Sequence, residues 1–486
     1  MKRCDTFFRL LLFIFILTST ACTEHRESGL ILPTSIQPTP TVTPSPGRPA
    51  YQPGDLVDYQ AQMGDTLPGL AAHFNTSVEK IRGANPEIPP VVTTLPPGLP
   101  MKIPIYYRPM WGPQYQIIPD SLFANGPAQI GFDVPGFIQQ RGGWLKDYTE
   151  FAYGGNRTAA EIITYISDMY SVSPRLLMAL LDYQASAFSL SQEPSARVDY
   201  PLGYYESGHR GLYMQLNWAA NLLNDTFYKW REGSLSSFDH LDGRLERPDP
   251  WQNAATVSLQ FYFSRQFSYE VYLQTVGPDG LALTYRNLFG DPWDKVVPTI
   301  PGSLTQPEFK FPFRVKTTWN LTGGPHTGWG DGEPWSAIDF APPLNAGGCT
   351  PTQEWATAVA PGVIVRTDTG VAVLDLDGDG DEHTGWVVFY LHLATDGLVK
   401  VGTKLNTGDP VGHPSCEGGH ATGTHVHIAR KYNGEWVPAY GVLAFDLEGW
   451  QVYMGDQPYE GTLRRGASVV TACTCSNHAS QISSGD

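Results

Sequence analysis

The chain has 486 residues, which leaves room for two to four domains at roughly 100–200 residues each. Lys plus Arg number 32 against 48 Asp plus Glu, a formal net charge of −16. That excludes a general nucleic-acid binder, which needs a basic face for phosphate, and leaves open only a local basic patch. With 41% apolar, 12% aromatic and only 16% charged residues the chain can build sizeable cores; 50 Gly and 41 Pro call for long loops and at least one linker.

Residues 1–22 read as a secretory signal. Lys2 and Arg3 precede the apolar run Leu10 to Leu17, and Ser19-Thr20-Ala21 leads to Cys22. The run is too short to span a bilayer comfortably. Its ending resembles a bacterial lipobox. That resemblance implies lipidation of Cys22 and a place on the extracytoplasmic face of the cell envelope, with membrane contact through the lipid alone. Removing the leader discards Cys4. Apart from Cys22, four cysteines remain, and in an oxidising compartment three connectivities are open to them. Cys349 with Cys416 is the expected pair; the pairing of Cys473 and Cys475 is left unresolved. Residues 23–50 form a linker whose Pro/Thr/Ser tract, 33–49, is a semi-rigid spacer.

Residues 51–107 carry a β-α-α-β pattern. Val57 to Gln62 alternates as a strand, Gly64-Asp65-Thr66 turns, and Leu67, Leu70, Ala71 and Phe74 have helical spacing. Val78 to Ala84 is a second short helix and Met101 to Pro104 the closing strand. The stretches AQMGDTLPGLAAHFN, VEKIRGANPEI and LPPGLPMKIP resemble the LysM family. The resemblance implies a domain that binds N-acetylglucosamine-containing polymers between two loops, here Gly64, Asp65, Thr66, Leu67 and Asn85, Pro86, Glu87, Ile88. The same residues also serve as turn and capping residues.

Residues 110–305 read as mostly helical, with helical spacing over Glu161 to Tyr170, Pro174 to Ser186, Gly211 to Asn224 and Asn253 to Arg265. SVSPRLLMALLDYQAS and GLYMQLNWAANLLN resemble lysozyme-like lytic transglycosylases. The position matching that family's acid is Gln184, with Asp182 nearby. An amide cannot donate the proton, so the resemblance implies a glycan-cradling fold more than a second active site. Glycan cleavage through Asp182 is the rival.

Residues 311–465 change to short β-branched runs between Gly turns, an all-β domain, with 466–486 as a tail. The whole chain is thus multidomain: a small β-α-α-β unit, a mostly α middle domain and an all-β C-terminal domain. Seven of the twelve histidines lie between 326 and 427. In Thr424-His425-Val426-His427-Ile428 a strand puts both imidazoles on one face and the β-branched residues on the other. His326 sits in the Gly/Pro-bounded GGPHTG turn, and His392 ends an apolar strand. Asp339 is a carboxylate within the apolar run SAIDFA, where it needs a partner. Two His and one Asp suit a catalytic Zn²⁺ with one position open.

GGPHTG, SAIDFA, VAPGVIV, YLHL, GDPVGH and TGTHVHIA together resemble the lysostaphin-type, LytM-like zinc endopeptidases that cut peptidoglycan peptides. The long separation of His326 and Asp339 resembles the β-lytic branch. By that resemblance His326, Asp339 and His427 bind Zn²⁺, while His392 and His425 serve proton transfer and oxyanion stabilisation. Asp331, in a solvated GWGDGEP turn, is the rival ligand. The expected activity is hydrolysis of stem-peptide or cross-bridge bonds in peptidoglycan. A non-catalytic LysM protein that recruits another hydrolase is the alternative. Asp375, Asp377, Asp379 and Asp381 imitate the start of a calcium loop but read as an acidic hairpin turn, because no closing Glu follows. His383, His413 and His420 read as polar loop residues.

Overall fold

Thr66 and Ser77 each end an extended segment and cap a helix: their hydroxyls accept from the backbone N–H of Gly69 and Lys80. These caps organise the first unit of the computed structural model, which describes residues 48–106, 112–294, 296–344 and 347–485. Cys22 and most of the linker lie outside the described residues. Strand β1 (Asp55–Gln60), α1 (Leu67–His73), α2 (Val78–Ala84) and β2 (Pro100–Ile105) follow in order, with β1 antiparallel to β2. Leu70, Phe74, Ile81 and Ile103 form the core.

The middle region contains α3 (Val134–Arg141), the hairpin β3 (Thr149–Ala152) and β4 (Gly155–Thr158), α4 (Ala159–Tyr170), α5 (Pro174–Ala185) and α6 (Leu212–Glu232). The two-residue strands β5 (Phe238–Asp239) and β6 (Leu245–Glu246) precede α7 (Ala254–Ser264), α8 (Tyr269–Thr275) and α9 (Leu281–Phe289). A capping box between Thr158 and Glu161 starts α4. Helix α6 runs eight residues beyond the Asn224 end expected from spacing. Its last turns carry aromatics on more than one side, which blurs the 3.6 period, yet Phe227, Tyr228 and Trp230 are all buried. Among the described residues no helix is long and apolar enough to cross a membrane.

The C-terminal region is built of β7 (Thr318–His326), β8 (Ala337–Ala341), β9 (Ala356–Thr357), β10 (Gly362–Asp368), β11 (Val371–Asp375), β12 (Trp386–Leu391), β13 (Lys404–Leu405) and β14 (Pro410–Gly412). Then come β15 (Val426–Tyr432), β16 (Glu435–Trp436), β17 (Asp446–Leu447), β18 (Trp450–Met454), β19 (Gly461–Arg465), β20 (Ser468–Thr471) and β21 (Gln481–Ser483). The main sheet has the order β13-β10-β11-β12-β15-β8-β7-β21, with β16 paired to β15. Residues 466–486, expected as a tail with its last strand within Ala467 to Cys475, carry β20 there and also β21, which closes the sheet edge against β7.

Alternation along these strands separates two apolar faces. Ile338, Phe340, Val388, Tyr390, Val426 and Ile428 enter one core within the β domain. Ala337, Val387, Phe389, Leu391 and Ala429 enter another that is continuous with the helices. Both faces are covered, so the strands read as unbroken apolar runs. The β15–β16 turn plugs into the helical region: the Gly434 carbonyl accepts from Ser171 Oγ at 2.5 Å, and Trp436 N–H donates to Tyr228 Oη at 2.8 Å.

Arg231, at the end of α6, joins all three regions. Its guanidinium donates to the Met63 carbonyl of the first unit and lies 3.2 Å from both Asp120 and Glu435. The three charged side chains are 5–10% exposed. Burial raises Glu435 to about 7, with Arg231 opposing that rise. Arg231→Ala leaves two buried carboxylates without their cation. It should lower the unfolding free energy by about 3–5 kcal/mol, read from urea titration at neutral pH.

Candidate metal centre and its cleft

Three adjacent strands bring the site together. His427 on β15 lies directly opposite Asp339 on β8, and β7 delivers His326 through two register shifts. Gly323 faces Asp339 across the β7–β8 pair, and a Cβ there would overlap the carboxylate. The Gly324 N–H donates to the Tyr459 carbonyl at 2.7 Å and the Tyr459 N–H to the Pro325 carbonyl at 3.1 Å. The Tyr459 ring stacks on His326 at 4.1 Å. Sequence reasoning missed Tyr459, since nothing in YEGTL marks it as facing the site.

The hydrogen bonds set the tautomers. His326 Nδ1 donates to the Gly324 carbonyl at 2.8 Å, and His427 Nε2 donates to the Gly328 carbonyl at 3.2 Å. In the neutral rings this leaves His326 Nε2 and His427 Nδ1 as bare lone pairs. They lie 3.0 Å apart, and Asp339 Oδ1 lies 3.1 Å from the first and 3.3 Å from the second. Asp339 Oδ1 is buried and accepts no hydrogen bond. Three electron-pair donors thus face one point with no proton between them, a repulsive arrangement unless a cation occupies it. Bonds of about 2.0–2.1 Å in a tetrahedral zinc site place donors about 3.3 Å apart, so the residues fit that ion. When the facing rings are protonated instead, His326 and His425 outweigh the burial that would raise Asp339 and hold its carboxyl well below the usual range. Burial lowers His427.

His392 and His425 form a second pair, with ring centroids 4.5 Å apart. His392 follows β12 in the left-handed region, φ 61°, and its Nδ1 donates to the Glu417 carbonyl at 2.9 Å. His425 Nδ1 donates to the Gly423 carbonyl at 2.7 Å, and its Nε2 lies 3.7 Å from Asp339 Oδ2. Both Nε2 atoms are left to accept protons. The disulfide Cys349–Cys416 ties together the loops that fix this pair. One loop holds Glu417; the other takes Thr424 N–H and Oγ1 on the Gly348 and Thr350 carbonyls. Cys473 and Cys475 form the second disulfide.

These groups open into a cleft of about 1270 Å³ between the sheet and the helices, whose far wall is Tyr165, Tyr170, Tyr213 and Asn217. Asp331 stands outside the donor cluster. Its N–H donates to Asn221 Oδ1 at 2.6 Å, and the Glu333 N–H donates to Asp225 Oδ1 at 2.9 Å, so α6 clamps the loop between His326 and Asp339. His383 contacts Asp381, His413 packs on Trp355 at 3.8 Å, and exposed His420 lines the cleft. Asp375 accepts from the N–H groups of Asp377, Gly378 and Gly380, folding the β11–β12 turn. In the helices, Gln184 is used up by Leu202, Gln266 and Tyr262, and Asp182 Oδ1 accepts from Phe188 N–H.

The eight LysM loop residues are mostly enclosed. The Arg231 guanidinium lies on Gly64, where a Cβ would overlap it. Asp65 accepts from Tyr59 Oη and Gln62 N–H, both at 2.7 Å, and Thr66 caps α1. Leu67, Asn85 and Ile88 are buried, which leaves Pro86 and Glu87 exposed.

Two measurements check the site. Zn²⁺ at a free concentration of 100 Kd should raise the unfolding free energy by about 2.7 kcal/mol, and His427→Ala should remove that rise. Burial and the neighbouring His425 and His427 lower His392 to about 3. An unfolded histidine charges near 6.5, so between these values the unfolded chain binds the extra proton. The stability is present above pH 6.5 and lost as pH falls through the window. His392→Gln should flatten that acid limb in metal-free protein, followed by urea midpoints against pH.

Residues 59–104 match the LysM domain family, and residues 116–302 match the family described as LasA, N-terminal domain. Protease LasA of Pseudomonas aeruginosa is 24% identical over 365 residues, 71% of this chain and 80% of that protein. A beta-lytic metalloendopeptidase of Lysobacter enzymogenes is 28% identical over 173 residues, 34% of this chain and 88% of that protein. Among solved structures, the deep-sea M23 metalloprotease pseudoalterin covers 35% of this chain and 96% of its own at 23% identity, with a TM-score of 0.30. The chain thus joins a LysM domain to a LasA N-terminal domain and a β domain related to those of LasA and the beta-lytic metalloendopeptidases.

Proposed function

We propose that the chain is a zinc metalloendopeptidase of the cell envelope that hydrolyses peptide bonds in peptidoglycan stem peptides or cross-bridges. The observation that carries this reading is the convergence of His326 Nε2, His427 Nδ1 and Asp339 Oδ1 within 3.3 Å of one another, on the floor of an open cleft. These three side chains would hold Zn²⁺. When bound, the ion would polarise a carbonyl and acidify a water molecule. The protein's own groups do the rest. His392 and His425 both turn Nε2 toward the cleft: one, neutral, removes the proton of the attacking water, and the other, when it carries a proton on Nε2, supports the oxyanion or protonates the leaving amine. Backbone carbonyls fix both rings. The LysM domain raises the local concentration of glycan, and lipidation at Cys22 would keep the enzyme on the extracytoplasmic face of the membrane.

The test is release of free amino groups from purified peptidoglycan by zinc-loaded protein, with fragment masses naming the bond. His425→Ala and His392→Ala should each lower kcat by about 10²–10⁴ while zinc content stays at one per chain. Asp339→Asn should lower zinc content and activity together. Full activity in a metal-free preparation, or in His425→Ala, would sink the assignment. Reducing-end release that survives a chelator and is lost in Asp182→Asn would move the chemistry to the helical domain.

A further inference from the structure

A second cavity, about 780 Å³, lies between the LysM strands and the helical domain, away from the cleft. Its volume is within the range of small-ligand sites. Trp251 belongs to the helical domain but is seated on the LysM unit: its indole N–H donates to the Asp58 carbonyl at 3.1 Å, and its ring meets Phe74 edge-on at 4.9 Å. Gln62 and Gln116 both donate Nε2–H to the Trp251 carbonyl, at 2.9 and 3.1 Å. These bonds, with a further one from Gln62 Nε2 to Tyr59 Oη at 3.2 Å, engage the amide nitrogens of two residues that line the cavity, and their amide oxygens are the acceptors they can offer a ligand. On the rim Trp293 is 40% exposed, set in a turn where its N–H donates to Asp291 Oδ1 at 2.9 Å.

The lining chemistry selects a ligand class. Of the two lining carboxylates, Asp120 is paired with Arg231 and Asp58 with Lys102. Among the described lining residues none is cationic, so an anionic ligand finds no counter-charge. An indole face and neutral amides suit a ring that is apolar on its faces and hydroxylated on its edge. The LysM loop groove supplies the second half of the argument. Its first loop is covered by Arg231 and the end of α6, whereas this cavity is open.

We propose that this interdomain cavity is a saccharide site that takes a neutral, N-acetylated glycan, with one pyranose ring on Trp293 and its hydroxyl or amide hydrogens on Gln62 and Gln116. The proposal rests on the peptidoglycan reading for its choice of glycan.

Full-length protein titrated with chitotetraose, followed by tryptophan fluorescence and calorimetry, tests it. Saturable binding is expected. Trp293→Ala should weaken it about tenfold and Gln116→Ala severalfold, with the thermal midpoint of each unchanged. Pro86→Ala with Glu87→Ala, on the exposed LysM loop, reads the loop groove separately. Binding lost in the Pro86/Glu87 variant but kept in Trp293→Ala and Gln116→Ala would overturn the proposal in favour of the loop groove. Chitotetraose that fails to bind protein still releasing amino groups from peptidoglycan would overturn the cavity site and leave the peptidase reading standing.

Discussion

One sheet face bears two obligations. The β12, β15 and β8 residues that point toward the helices are apolar over most of their length, Val387, Phe389 and Ala429 among them, and must be covered. The same face, at its end, carries His427, Asp339 and, one strand over, His326. The helical domain satisfies the first demand and stops short of the second, and the gap it leaves is the cleft. A domain laid fully across the sheet would seal the lone pairs away from any substrate; one laid elsewhere would leave a large apolar patch in water.

The cover is fastened where charges would otherwise be stranded. Lys431, four residues beyond His427 on β15, donates to the Asp168 carbonyl at 3.2 Å and lies 3.9 Å from Glu382. Burial lowers it to about 8, with Glu382 resisting. Arg231 does the corresponding work between LysM, helices and sheet. Buried pairs of this kind contribute little over apolar packing but are strongly unfavourable when broken. They fix register between the regions more than they hold the regions together. The consequence for the LysM domain is specific. Its first loop is a structural contact, with Gly64 under a guanidinium and His73 stacked on Trp230 at 3.7 Å.

Around the candidate metal centre, the order of support runs outward. Backbone carbonyls set each imidazole's tautomer, and a disulfide and paired loops set those carbonyls. Tyr459 braces the strand that carries His326. Such outer contacts decide whether donors converge to within a fraction of an ångström, which metal sites require.

Local chemistry wrote several features openly into the sequence. Period-2 alternation put His425 and His427 on one face, and the lone carboxylate of SAIDFA demanded a partner. Thr66 announced the start of α1. Short-range order of this kind depends on neighbours a few residues away, and a single chain displays it. Other features waited for the tertiary structure. The last turns of α6 looked irregular because their aromatics serve two partners, and the terminal residues looked like a tail because β21 pairs only with a strand far back in the chain. Tyr459, the cover on Gly64 and the cavity around Trp251 arise where segments more than a hundred residues apart meet. Local pattern carries no trace of such meetings, because packing against a distant partner selects only for size and polarity, which many unrelated positions share.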